Sequence, residues 1–262
     1  MLTESQQRQY LDRIEGALHA ATEIAARYTP ETCAVDDRGG RNVVTEVDRR
    51  LSEKLRAQLL REGEGWLSEE DPDDRARLSC DIVWVVDPLD GTREFVDGIP
   101  EWCISIGLVQ NGVAVAGGTS NPATGEIFLG ALNCGVTRNG RPVRASTRHS
   151  LQGGHVLASR SEYNRGEWRR FEGAGFTLQA MGSVAYKLSL VASGLADATW
   201  TLCPKHEWDV AAGVALVAAG GGCVCSLDDS RVQFNREEPL LPGVIASGTG
   251  IWPDVSRVVN SE

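Results

Sequence analysis

Residues 82–92 read Ile82-Val83-Trp84-Val85-Val86-Asp87-Pro88-Leu89-Asp90-Gly91-Thr92. The apolar run Ile82 to Val86 predicts a short buried strand, stopped by Asp87-Pro88. Two carboxylates three residues apart, on a turn leaving a buried strand, can converge on one point. Oxygen ligands from carboxylates and backbone carbonyls suit hard cations such as Mg²⁺, and the Leu89 carbonyl lies between the two as a third donor. Gly91 and Thr92 then lead into Arg93-Glu94-Phe95-Val96, which reads as a helix start. Backbone N–H groups at such a start bind a phosphate dianion well. One short segment therefore offers cation ligands and anion donors side by side.

Working outward towards the N-terminus, Glu69-Glu70 stands in Trp66-Leu67-Ser68-Glu69-Glu70-Asp71. Acidic pairs are ordinarily solvated surface. This one matters because Trp66-Leu67 would bring it to the end of a strand beside Asp87. In Thr45-Glu46-Val47-Asp48, Thr45 reads as the N-cap of a helix over about 46–60. Asp48 adds a carboxylate able to orient or deprotonate a water. Residues 5–28 predict an amphipathic helix with Leu11, Ile14, Leu18 and Ile24 on one face. Asp37-Arg38-Gly39-Gly40-Arg41 reads as a loop.

Towards the C-terminus, residues 103–145 predict an antiparallel meander, with Asn111-Gly112 and Asn139-Gly140 as hairpin turns. Near Ser150 the character changes. Strand-like runs at 156–158, 176–179, 198–202, 223–227 and 244–246 alternate with helical runs at about 165–173, 184–193 and 209–219. Such alternation predicts α/β layering. The boundary near 150 divides a mixed α+β half, residues 1–150, from an α/β half, residues 151–262. In Trp208-Asp209-Val210-Ala211-Ala212-Gly213, Asp209 reads as the N-cap of a small-residue helix ending at Gly220-Gly221-Gly222. Its side chain can instead, or also, close a metal site from the second half.

Composition narrows the function. At 262 residues the chain can bury a full core. Lys and Arg number 26 against 36 Asp and Glu, a net charge of −10, which argues against a binder of nucleic-acid polymers. No apolar run is long enough to span a bilayer. Met1 to Gln6 lack the cationic start and apolar core of a signal peptide, so a cytoplasmic protein is expected. Seven Cys without a CxxC pair are expected to be buried free thiols and match no Cys-only metal spacing. His19, His149, His155 and His206 are expected to be non-catalytic, and Tyr163 and Tyr186 to be packing residues.

Thr45–Asp48, Glu69-Glu70, Asp87–Thr92 and Trp208–Gly213, in this order, resemble the inositol-monophosphatase superfamily from Thr45 to Gly222. That resemblance implies a layered αβαβα sandwich of the α+β class and a Mg²⁺-dependent, lithium-sensitive phosphomonoesterase. It implies Glu69, Asp87, the Leu89 carbonyl, Asp90 and Asp209 as ligands of two or three Mg²⁺ ions. It implies Glu69, Asp48 and Thr92 as the groups that prepare the attacking water. Gly91 and Thr92 would cradle the phosphate, and the protein would be a homodimer.

Further stretches are similar to one branch, the bacterial 3′(2′),5′-bisphosphate nucleotidases. These are Leu67-Ser68-Glu69-Glu70-Asp71-Pro72, Arg93-Glu94-Phe95 after the shared motif, Ser159-Arg160-Ser161, and Gly182-Ser183 followed by Lys187. The substrate of that branch is 3′-phosphoadenosine 5′-phosphate, a by-product of sulfate assimilation, which is cleaved to AMP and phosphate. Inositol monophosphatases usually place a Glu seven residues before the last metal-binding Asp, to bind inositol hydroxyls. Here that position is Leu202, which cannot accept those hydrogen bonds. Ser183 reads as the cap of a helix starting at Val184, with Lys187 one turn on and on the same face. Both are placed to meet a second phosphate or the sugar. Arg160 offers a planar fork for phosphate or a stacking face for adenine. The alternatives are an inositol-1-phosphate or broad sugar-phosphate phosphatase on the same scaffold, and a catalytically retired relative that binds metal or nucleotide as a sensor.

Overall fold

The computed structural model describes residues 2–30, 35–37, 43–228 and 230–260. Cys33 and most of the loop read at Asp37–Arg41 lie outside the described residues. Helix α1 (Glu4–Ala25) begins with a capping box in which Thr3 accepts from the Gln6 backbone. A small antiparallel ribbon, β1 (Val35–Asp37) with β2 (Val43–Thr45), leads into helix α2 (Glu46–Leu59).

A seven-stranded sheet follows in sequence order: β3 (Gly65–Ser68), β4 (Ile82–Asp90), β5 (Cys103–Gln110), β6 (Val113–Asn121), β7 (Glu126–Ala131), β8 (Gly135–Arg138) and β9 (Arg141–Val143). Only the β3–β4 pairing is parallel; the rest is the expected antiparallel meander. Short helix α3 (Thr92–Val96) leaves the end of β4.

The second sheet is five-stranded. It is built from β10 (His155–Ser159), β11 (Thr177–Met181), β12 (Ala198–Trp200), β14 (Gly222–Ser226) and β16 (Val244–Gly248), in the order β11-β10-β12-β16-β14. A two-residue strand β13 (Lys205–His206) pairs with β15 (Leu240–Leu241). The helices of this half are α4 (Arg160–Asn164), α5 (Val184–Ala192), α6 (Glu207–Ala219) and α7 (Trp252–Asn260).

Three apolar cores separate five layers. The first joins α1 and α2 to one face of the large sheet, through Ile14, Leu18, Leu51, Leu55, Trp84 and Ile106. The second lies between the two sheets and contains α5 and α6. The third covers the outer face of the small sheet with Trp168, Phe171 and α7. Strand β4 shows why its sequence is apolar throughout: Val83 and Val85 enter the middle core, while Trp84 and Val86 enter the first. Both faces are buried, so alternation disappears from the sequence.

Helix α6 is apolar on all sides because it runs between sheets. Its small residues permit a close approach. A Cβ on Gly117 of β6 would stand 2.7 Å from the Ala212 carbonyl oxygen.

Several boundaries differ from the expectation. Strand β4 does not stop at Asp87-Pro88 but runs to Asp90. No helix spans 165–173. Instead α4 ends at Asn164, and a 3₁₀ turn covers Arg169–Phe171. Gly166 and Gly173, both at positive φ, interrupt the backbone there. Helix α1 ends at Ala25 rather than 28. Of the six described cysteines only Cys103 and Cys225 are buried; the other four are half-buried, contrary to the expectation. Tyr186 packs in the middle core, whereas Tyr163 is exposed. Among the described residues no helix is long and apolar enough to cross a membrane.

Candidate active site

The register of β4 against β5 pairs Asp87 with Ser105 and Asp90 with Cys103. Two residues, Pro88 and Leu89, therefore oppose the single Ile104: a β-bulge. In an unbroken strand, residues three apart point to opposite faces. The extra residue resets the alternation, so Asp87 and Asp90 line the same cleft. Proline suits this position because it has no N–H to place in the ladder. The Leu89 N–H donates to Asp87 Oδ1 at 3.0 Å. Gly91 then turns the chain into α3 at φ 100°, a left-handed conformation that favours glycine.

The cleft, of about 280 Å³, collects residues from both halves of the chain. Glu69 follows the end of β3, next to β4 as the parallel pairing requires. Asp209 enters from α6. It is not the helix N-cap: His206 holds that place, and Asp209, three residues on, accepts from the His206 backbone N–H at 3.0 Å. Asp48 is the equivalent residue of α2. Its Oδ2 accepts from the Thr45 backbone N–H at 2.7 Å and hydroxyl at 2.5 Å. The Thr92 hydroxyl lies 3.0 Å from the Leu89 carbonyl, to which it donates, and 3.5 Å from Asp48 Oδ1.

These acids raise one another's proton affinity. Burial, then the charges of Glu69, Asp90 and Asp209, push Asp87 well above the ordinary carboxylate range. Enclosure in the cleft, then Asp209, Glu70, Asp48 and Asp90, push Glu69 up to about 8. Burial and Asp90 push Asp209 up to about 7. Asp48 is raised by burial against its bonds from Thr45. The donor set is wholly oxygen and heavily anionic, which fits hard divalent cations. A different acidic group, Glu162 with Glu167 and Cys203, has ligand atoms within 4.8 Å of one another. Arg165 and Lys205 already occupy it, so it is an ion-pair cluster.

A sequence profile of the inositol monophosphatase family matches residues 6–255. The chain belongs to the inositol monophosphatase family. An inositol-1-monophosphatase of Rhizobium meliloti is 31% identical over 194 residues, 71% of this chain and 72% of that one. Among solved structures, the extragenic suppressor protein suhB from Bartonella henselae superposes with a TM-score of 0.80 at 26% identity, covering 95% of this chain and 98% of that one. CysQ from Bacteroides thetaiotaomicron, described as a bacterial member of the same family, gives 0.75 at 25% identity over 92% and 97%. The layered α+β sandwich is thus the family's, and the chain is a phosphatase of this metal-dependent family.

Within that family frame, the expected substrate residues divide by what already holds them. Ser183 caps α5 as expected, accepting from the Tyr186 N–H at 3.0 Å. Its hydroxyl also donates to Asp90 Oδ2 at 2.6 Å, and the Ala185 N–H reaches the same oxygen at 2.6 Å. Ser183 therefore positions Asp90. Lys187 is fully buried, and its ammonium donates to the carbonyls of Met181, Gly182 and Ser183 at 3.2, 3.2 and 2.8 Å. Burial lowers it to about 8. Arg160 is paired with Glu101, and its Nε lies 3.9 Å from Glu94. Ser159 and Ser161 line the cleft with their hydroxyls 3.1 Å apart.

Two residues of the site escaped the sequence reading. Lys205 lines the cleft, with Nζ 3.5 Å from Glu162 Oε1. Glu162 is wholly buried and accepts from the Trp168 indole at 3.1 Å and the Leu202 backbone N–H at 3.2 Å. The one available signal was local: Glu162 follows Ser159-Arg160-Ser161 directly, and Lys205 stands four residues before Asp209.

Proposed function

We propose that this chain is a Mg²⁺-dependent phosphomonoesterase that hydrolyses 3′-phosphoadenosine 5′-phosphate to AMP and phosphate. One observation carries the reading: the cleft is lined by both carboxylates and cations, with Leu202 where inositol recognition would want an acid. Glu69, Asp87, Asp90, Glu94 and Asp209 are the carboxylates; Arg93, Arg160, Lys187 and Lys205 are the cations. A doubly phosphorylated substrate needs both. The carboxylate held at Leu202 belongs to Glu162, which is buried beneath Lys205 and presents nothing to a sugar.

In this proposal Glu69, Asp87, the Leu89 carbonyl, Asp90 and Asp209 hold two or three Mg²⁺ ions, which when bound supply an activated water and neutralise the phosphate. The chain's own groups do the rest. Thr92 and Asp48 take the proton of the attacking water, the raised proton affinity of Asp48 making it a stronger base than an exposed carboxylate. Gly91 and Thr92 direct backbone N–H groups at the phosphate. Ser183 and the Ala185 N–H fix Asp90. Arg160, Ser159 and Ser161 face the nucleoside side. From the resemblance alone, the reading also carries a homodimeric, lithium-sensitive cytoplasmic enzyme acting downstream of sulfate assimilation.

A second reading, hydrolysis of inositol 1-phosphate or sugar phosphates, is favoured by the name of the Rhizobium meliloti relative. Phosphate release with Mg²⁺ from the nucleotide and from inositol 1-phosphate, side by side, separates the two. The expected result is a large kcat/KM preference for the nucleotide. A preference for inositol 1-phosphate overturns the first reading and leaves the metal site intact.

A further inference from the structure

Four cations line the cleft, Arg93, Arg160, Lys187 and Lys205, and they are not equally available or equally fixed. Arg93 is exposed on α3, and among the described residues no buried carboxylate holds its side chain in place. Lys187 spends all three of its ammonium protons on the carbonyls of Met181, Gly182 and Ser183. It braces the turn that holds Asp90. Arg160 is ion-paired with Glu101 and has Glu94 3.9 Å from its Nε, so its charge is already answered by the protein's own carboxylates. Among the described residues Lys205 makes one polar contact through its ammonium, at 3.5 Å to Glu162, and its side chain remains 16% exposed. That contact leaves two N–H groups directed away from Glu162.

Glu162 is built to hold this lysine. Its side chain is 0% exposed, and its Oε2 is taken by the Trp168 indole and the Leu202 N–H. With Oε2 so occupied, Oε1 is the oxygen that accepts from the cation beside it. Lys205 is that cation, and the pairing restricts where its flexible stem can place the ammonium.

We infer that Lys205, held by buried Glu162, is the specificity-determining cation for a second phosphate of the substrate, separate from the phosphate being hydrolysed. The inference rests on the bisphosphate reading above and assigns its second-phosphate contact to Lys205 in place of Lys187.

The test compares 3′-phosphoadenosine 5′-phosphate with adenosine 3′-phosphate, which lacks only the second phosphate, on wild-type protein and Lys205→Met. The wild type should show the lower KM for the bisphosphate. Lys205→Met should raise that KM roughly tenfold or more, as expected for losing a charge-assisted contact. The loss should fall much more heavily on the KM of the bisphosphate than on the KM of adenosine 3′-phosphate, so the two constants converge. Lys205→Arg should restore most of the preference. Because Lys205→Met leaves Glu162 buried without its cation, the double variant Glu162→Gln/Lys205→Met, which leaves no buried charge, repeats the comparison if the single variant melts early.

A preference for the bisphosphate that survives in Lys205→Met overturns the inference and leaves the bisphosphate reading standing. So does an equal loss on both substrates, or a loss recovered by raising Mg²⁺, since either would place Lys205 at the reacting phosphate or the metals. A wild type that does not favour the bisphosphate over adenosine 3′-phosphate overturns the inference and the reading together.

Discussion

Asp90 carries two demands at the scale of a single residue. One oxygen is fixed by the Ser183 hydroxyl and the Ala185 N–H, and the carboxylate stands among other acids. An asparagine can still accept both bonds through its amide oxygen but brings no charge. Asp90→Asn should therefore lower kcat by about a thousandfold or more, the several kcal/mol that a metal-centred charge supplies. Its thermal midpoint should stay within a few degrees of the wild type. Steady-state kinetics beside a thermal melt checks both, and near-wild-type turnover would remove Asp90 from the metal site. Asp87, Asp90 and Glu69 were legible because type and spacing mark them. Lys205 and Glu162 were not: a single lysine in a two-residue strand and a single helix glutamate have no periodicity, and their pairing exists only once β13 meets α4.

Elements transmit this chemistry by their spacing. Helix α6 carries Asp209 into the cleft and lies directly against Gly117. In Gly117→Ala the new Cβ would meet the Ala212 carbonyl oxygen at 2.7 Å and its Cα at 2.8 Å, both backbone atoms. Overpacking of that kind costs about 1–3 kcal/mol, or a thermal midpoint lower by about 2–12 °C in a chain of this size. Activity should fall with it, since α6 must move and takes Asp209 along. A melt unchanged from wild type would show that the two layers have slack. The sequence identified α1, α2, α5 and α6, and the meander with its Asn-Gly turns, because apolar pattern and turn residues are local signals. It misplaced Asp209 as a cap because Asp serves equally at the third helical position of a capping box, where His206 supplies the backbone N–H. It read a helix over 165–173 because helix-forming Glu167, Trp168, Arg169 and Arg170 mask the breaks at Gly166 and Gly173. The bulge in β4 is not legible in its own residues, since pairing register is a property of two strands.

The whole molecule joins its two halves through the middle core, where α5 and α6 of the second half meet the sheet of the first. We propose that the division near residue 150 is a change of sheet within one unit, because β9 and β10 belong to different sheets while sharing this core. Charge is distributed on the same scale. A chain of net charge −10 concentrates carboxylates from both halves in one cleft, and holding them together in the absence of cations costs stability. Glu69 at about 8 and Asp209 at about 7 lie above their ordinary values of 4.5 and 3.8. A group raised on folding binds its proton more tightly in the folded state. Its stabilising effect is complete below the unfolded value, near pH 4, and is lost as pH rises through 7 to 8. The chelated, metal-free protein should therefore melt at progressively lower temperature between about pH 5 and pH 8. Cations compensate the ionised carboxylates, so the rise in midpoint on adding Mg²⁺ should be larger at pH 8 than at pH 5. Melts across that pH range, with chelator and with Mg²⁺, measure both slopes. A metal-free midpoint that climbs with pH, or a Mg²⁺ increment that ignores pH, would mean that the cleft acids are balanced by the protein's own cations. Arg93, Arg160, Lys187 and Lys205 would then be neutralising those acids, leaving less charge to offer a substrate.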